Sequence, residues 1–145
     1  MNAVIDASVL LMAYFDDEEG HAQAQQLIRD YASGGIDLFA PGLLAYEIMN
    51  ACLVAVRTKR LGVDSARDTI GAILGMDITM VNAAAIADTV IELSARFDIS
   101  AYDACYLALA KSKGCVLITA DKKLYNKLSP DIPWIKLIHG YPSIG

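Results

Sequence analysis

Short apolar runs alternate along the chain with longer stretches whose apolar side chains recur at helical spacing. Residues 2–5 form the first run and predict a buried strand that stops at Asp6, and residues 7–15 continue as a helix. After the solvated Asp16-Asp-Glu-Glu-Gly break, Ala24, Leu27, Ile28 and Tyr31 share one face of a helix over 21–32. Gly34-Gly35 closes that helix. A second strand follows over 36–40, and Pro41-Gly42 turns the chain into a mostly apolar helix over 43–60. Further helices are predicted over 64–74, 83–97, 101–113 and 122–128, with strands over 78–81, 115–119 and 134–138. The helix over 101–113 is apolar nearly all round until Lys111, so it should pack deeply. Strands alternating with helices in this way predict an α/β fold, a central parallel sheet of four or five short strands with helices on both faces. No linker, repeat or low-complexity tract interrupts the 145 residues, so a single domain over 1–145 is expected.

Four carboxylates break the apolar pattern. Asp6 stands in Ala3-Val-Ile-Asp-Ala-Ser-Val-Leu-Leu, Glu47 in Leu43-Leu-Ala-Tyr-Glu-Ile-Met-Asn, Asp103 in Ser100-Ala-Tyr-Asp-Ala-Cys-Tyr-Leu, and Asp121 in Val116-Leu-Ile-Thr-Ala-Asp. Acidic side chains are rarely buried without a partner or a metal. No Lys, Arg or His lies within three residues of Asp6, Glu47 or Asp103. In open parallel sheets, sites form beyond the carboxyl ends of the strands, where strand order reverses. Asp6 and Asp121 each close a predicted strand and open a helix, so neighbouring strands would turn both acids into one crevice. Asp103 and Glu47 lie in the first turns of apolar helices. Three of the four also have an ordinary structural reading: Asp6 and Asp121 as helix N-caps, and Ser100-Ala-Tyr-Asp103 as a capping box. Glu47 lies too far into its helix to be a cap. Clustered carboxylate oxygens select Mg2+ or Mn2+, ions that activate water and neutralise charge on phosphoryl oxygens.

Composition narrows the setting. The chain is 55% hydrophobic, yet no apolar run approaches the roughly 18 residues of a membrane span. No basic leader precedes Asp6, so neither a membrane segment nor a signal peptide is expected. The surplus apolar surface points to a protein partner, either a second copy or another chain. Cys52, Cys105 and Cys115 follow no zinc spacing and suit small core residues in a reducing cytoplasm. A net charge of −5 argues against a generic nucleic-acid binder, but not against a nuclease whose metal site holds several of those charges.

The segments Val4-Ile-Asp-Ala-Ser-Val-Leu, Tyr46-Glu-Ile-Met-Asn-Ala, Ala101-Tyr-Asp-Ala-Cys-Tyr-Leu-Ala-Leu-Ala and Leu117-Ile-Thr-Ala-Asp-Lys-Lys-Leu, in this order, resemble the PIN-domain ribonucleases. The likeness is greatest to the VapC-type toxins of VapBC toxin–antitoxin pairs, and it runs from end to end of the chain. It implies a Mg2+-dependent endoribonuclease, with Mn2+ able to substitute. Such an enzyme hydrolyses RNA phosphodiesters by metal-activated water and leaves a 5′-phosphate and a 3′-hydroxyl. The resemblance makes Asp6, Glu47, Asp103 and Asp121 the catalytic and metal-binding quartet, with Asp6 and Asp103 as direct ligands. Ser8, Asn50 and Thr119 become supporting residues, each equally able to serve local backbone hydrogen bonds. Lys122, Lys123 and Lys127 follow Asp121 and are the expected RNA contacts. A small antitoxin and a homodimer are the implied protein partners. Two other readings stand beside this one: an RNA-processing or decay nuclease with no antitoxin, and a metal-stabilised interaction module without catalysis. A phosphoryl receiver fits poorly, since Ser8 occupies the place of its second acid.

Overall fold

Strands form where β-branched and other apolar residues run together: β1 (Asn2–Ile5), β2 (Asp37–Pro41), β3 (Thr79–Val81), β4 (Val116–Thr119) and β5 (Ile135–Leu137). In the computed structural model, which describes residues 1–143, they form one parallel sheet in the order β3-β2-β1-β4-β5. Between them run α1 (Ala7–Met12), α2 (His21–Ala32), α3 (Leu43–Arg57), α4 (Val63–Leu74), α5 (Ala87–Phe97), α6 (Ala101–Lys113) and α7 (Lys122–Leu128), with 3-10 turns at Ala83–Ile86 and Ile138–Gly140.

The strand order reverses at β1. The chain adds β2 and β3 on one side, then crosses back to place β4 and β5 on the other. Parallel crossovers are right-handed, so the connections running one way put α1 to α4 on one face, and those running back put α5 to α7 on the other. Ile5 pairs with Ile118, and the Asp6 N–H donates to the Ile118 carbonyl at 3.3 Å. The carboxyl ends of β1 and β4 therefore lie side by side at the switch point.

Two helices carry most of what faces this point. Leu44, Ile48, Cys52 and Ala55 make a buried stripe at helical spacing along α3. Five consecutive residues of α6, Tyr106 to Ala110, are buried, because α6 packs on β1, β2 and β4 on one side and on α5 on the other. The all-round apolar stretch expected to pack deeply does so. Among the described residues, no helix is long and apolar enough to cross a membrane.

Three helix boundaries differ from the sequence pattern by more than one residue. The first helix stops at Met12 rather than Phe15. The segment beyond it is held by Arg60, whose guanidinium lies 4.3 Å over the Phe15 ring and reaches Asp17 at 2.7 Å and Glu18 at 2.9 Å. The third helix stops at Arg57 rather than residue 60. There the Thr58 hydroxyl donates back to the Val54 carbonyl at 2.9 Å, and Lys59 takes a left-handed backbone with φ of 61°. The predicted 83–97 helix begins as a 3-10 turn, with the Asn82 side chain accepting from the Ala84 N–H at 3.0 Å.

Candidate active site

β1 ends by delivering Asp6 to the switch point. Asp6 occupies the N-cap position of α1 with extended backbone, and no hydrogen bond to its carboxylate closes the first turn, although the Val9 N–H lies near enough to favour its charged form. Its carboxylate accepts from the Ser8 hydroxyl, and the Thr119 side chain lies near enough to favour its charged form too. Ser8 Oγ in turn accepts from the Ala120 N–H at 3.1 Å, and Thr119 Oγ1 from the Asp121 N–H at 3.1 Å. The Ser8 hydroxyl thus ties the acid at the end of β1 to the backbone just beyond β4. Thr119 is fully buried, the one polar side chain in the core among the described residues. Burial pushes the Asp6 carboxyl up to about 6, against the pull of the Ser8, Thr119 and Val9 hydrogen bonds; the nearby Glu47 charge adds to the rise.

Glu47 reaches the same recess from α3. It is half-buried, and its Oε1 accepts from the Tyr106 hydroxyl at 2.6 Å. Tyr106 is 3% exposed. Burial, reinforced by the bond to Glu47, holds its phenol well above the usual tyrosine range, so it stays a hydrogen-bond donor. The sequence reading missed Tyr106, although a signal was present. It lies three residues after Asp103 on the most buried helix, and a buried tyrosine needs a partner for its hydroxyl.

Asp103 and Asp121 form a second pair. Asp103 is half-buried in the first turn of α6. Its N–H donates to the Ser100 hydroxyl at 3.0 Å, which is one half of the expected capping box. Burial raises its carboxyl, the Asp121 charge adds to this, and Ser100 and Lys127 oppose it. Asp121 is exposed, not enclosed as its apolar sequence context suggests, because β4 ends two residues earlier and the chain has already emerged from the sheet. Its Oδ1 accepts from the Leu124 N–H at 3.0 Å and caps α7, so for Asp121 the capping reading holds.

The electrostatic coupling runs Asp6 with Glu47 and Asp103 with Asp121. Among the described residues, no three His, Cys, Asp or Glu side chains converge as a metal-holding group. Of the supporting residues, Ser8 bonds to Asp6 and Thr119 lies beside it. Asn50 is exposed and lines the same cleft as Glu47. The lysines are partly engaged: Lys122 reaches Glu19 at 3.1 Å and Lys127 donates to the Asp98 carbonyl at 2.6 Å, while Lys123 is exposed.

Two clefts meet over the site and share Ser8, Leu11 and Ala51. One runs past Glu47 to Tyr46 and Tyr102, the other past Asp121 to Phe15 and Arg60. The donor set is all carboxylate, the hard-oxygen chemistry that suits Mg2+ or Mn2+. Mg2+ is held by one or two carboxylates and keeps several waters, so paired acids fit it without a larger cage.

A family model described as the PIN domain matches residues 3–127. The VapC ribonuclease Mb0985 of Mycobacterium bovis is 32% identical over 121 residues, covering 83% of this chain and 87% of that protein. Ribonuclease VapC9 of Mycobacterium tuberculosis matches with the same identity and coverage. Among solved structures, PAE2754 from Pyrobaculum aerophilum shares the fold with a TM-score of 0.64 at 22% identity, over 95% of this chain and 90% of that one. A toxin–antitoxin complex from Klebsiella pneumoniae does so with a TM-score of 0.60 at 20% identity, over 94% and 97%. The chain belongs to the PIN-domain family.

Proposed function

We propose that this protein is a Mg2+-dependent endoribonuclease, with Mn2+ able to substitute, and the toxin of a toxin–antitoxin pair. The observation that carries the reading is the Asp6–Glu47 pair at the β1/β4 switch point, two carboxylates with no cation among their partners. The 32% identity to proteins named VapC ribonucleases supports it.

In this reading Asp6 and Asp103 would hold the ion, one from each pair, and Glu47 and Asp121 would hold its waters. When bound, Mg2+ lowers the pKa of water and offsets charge on the phosphoryl oxygens. Ser8 fixes the Asp6 carboxylate at the switch point, with Thr119 beside it. Tyr106 fixes Glu47 in the same way. Glu47 is then placed to orient an attacking water for in-line displacement.

The rest of the assignment follows that site. Residues 1–145 act as one domain. RNA is the substrate and an antitoxin the regulating partner. A homodimer finds support in exposed Leu53 and Val54 on α3. A cytoplasmic location suits three free cysteines.

The test is cleavage of mixed RNA with Mg2+, Mn2+ or EDTA, beside the Asp6→Asn/Asp103→Asn double variant. Metal-dependent cutting that the variant loses supports the assignment. Equal cutting by both proteins refutes it. No cutting by either, in protein freed of any co-purified partner, favours an interaction module.

A further inference from the structure

The most acidic stretch of the chain, Asp16-Asp-Glu-Glu, runs between α1 and α2 and borders the cleft that carries Asp121. Four adjacent acids repel one another, yet three of these are tied to basic side chains. One guanidinium nitrogen of Arg60 donates to Asp17 at 2.7 Å and to Glu18 at 2.9 Å, and the same guanidinium lies 4.3 Å over the Phe15 ring. Lys122 reaches Glu19 at 3.1 Å and fastens the far end of the stretch. Phe15, Glu18 and Arg60 line the cleft with Ser8 and Asp121, and among the described residues Arg60 is the one cation in that lining. The backbone fixes Arg60 in place. Beyond the left-handed Lys59, its N–H donates to the Ala55 carbonyl at 2.9 Å. The acidic stretch is held less firmly. Of its four N–H groups, only that of Glu18 donates to a backbone carbonyl among the described residues.

We propose that this acidic stretch is an autoinhibitory strap: Asp17 and Glu18 occupy Arg60 in place of an RNA phosphate, and an incoming strand must displace them. The proposal rests on the ribonuclease reading above and adds a brake on substrate entry, with Arg60 as the phosphate-binding residue that the brake covers. Carboxylate oxygens give a guanidinium what a phosphate gives it, negative charge and acceptors together. A phosphate therefore exchanges for them without leaving Arg60 unpaired, and the two cannot be held by the same nitrogen at once. The ion pairs are solvent-exposed, so each contributes little and release is within reach of a competing anion. Displacement also takes negative charge away from the mouth of the cleft. In a chain of net charge −5, few cations draw RNA in, so the state of the one in this lining weighs heavily on affinity.

The experiment measures kcat and KM for a short oligoribonucleotide with Mg2+ present. Wild type is compared with the strap variant Asp17→Asn/Glu18→Gln, with Arg60→Gln, and with the three substitutions combined. A charge control, Asp37→Asn/Asp131→Asn, neutralises two exposed acids that lie at the start of β2 and between α7 and β5, away from the carboxyl ends of the strands. Circular dichroism checks that each variant keeps the fold. The strap variant should lower KM about fivefold at constant kcat, and Arg60→Gln should raise it about as much. In the Arg60→Gln background the strap substitutions should leave KM where it is, because the group they uncover is gone. The charge control should leave KM at the wild-type value. An unchanged KM in the strap variant would overturn the brake and leave the nuclease standing. So would an equal fall in the Arg60→Gln background or in the charge control, since the gain would then be general electrostatics. Absence of any quartet-dependent cleavage would instead remove the nuclease reading, and the strap's role with it.

Discussion

The two carboxylate pairs are held by opposite means. Asp6 and Glu47 sit in a recess where hydroxyls do the positioning: Ser8 on one acid, Tyr106 on the other. Asp103 and Asp121 stand nearer solvent, where backbone geometry does it: a Ser100 cap beneath Asp103, and Asp121 itself capping α7. Lys127 moderates the second pair, and no basic side chain moderates the first. The difference shows how one site can keep like charges together. One pair tolerates them through hydrogen bonds and through burial that pushes Asp6 toward its neutral form, the other through solvent, a helix N-terminus and a nearby cation.

Within and between the pairs, substitutions should differ most in activity. Asp6→Asn and Asp103→Asn, one from each pair, should each slow RNA cleavage about a thousand-fold, worth several kcal/mol of lost charge stabilisation. Asp121→Asn should cost only about tenfold, because asparagine keeps the cap and the side chain is exposed. Single-turnover rates measure all three, and equal losses at Asp6 and Asp121 would erase the distinction between the enclosed acid and the exposed one.

The next effect is on stability. Tyr106→Phe removes the donor to Glu47 and leaves a half-buried carboxylate short of a partner, at a cost of about 1–3 kcal/mol. Urea melts would register it, and an unshifted midpoint would mean that Glu47 finds water just as readily.

A pH series sharpens the comparison further. The Asp6 carboxyl ionises at about 6 in the folded chain against 3.8 ordinarily. The folded state thus holds this proton more tightly than the unfolded one. In metal-free buffer this acid's contribution is fully present below about pH 4 and is lost as pH rises through 6, a swing of about 3 kcal/mol. Melting curves from about pH 4 to pH 7 should show the decline in wild type and a flatter profile in Asp6→Asn. A parallel pair of profiles would count against it.

Smaller effects belong to the open pair. Asp121→Ala should destabilise by about 1 kcal/mol through loss of the α7 cap, whereas Asp121→Asn should be nearly neutral; thermal denaturation separates them. Least of all, reversing Lys122 and Lys123 to Glu should weaken RNA binding a few-fold and flatten its dependence on salt. Unchanged binding at low salt would place the RNA path elsewhere.

Much of this was legible before any coordinates. Alternating strands and helices gave the parallel sheet, the all-round apolar run marked the most buried helix, and each acid stood out against apolar neighbours. The capping alternatives were equally visible, and the sequence could not choose between them: the Asp6 carboxylate bonds to Ser8, while that of Asp121 caps α7. Nor could it show that Asp121 is exposed or that Tyr106 bonds to Glu47 across 59 positions.

Local pattern alone determined which residues are strand, helix and chemically out of place, since backbone period and the cost of an unpaired acid are properties of short segments. Only the tertiary structure decided which acids meet. That depends on β4 crossing back to lie beside β1, and on which hydroxyls from distant segments then come within reach of each carboxylate. Contacts between residues far apart in sequence leave no periodic trace in the chain.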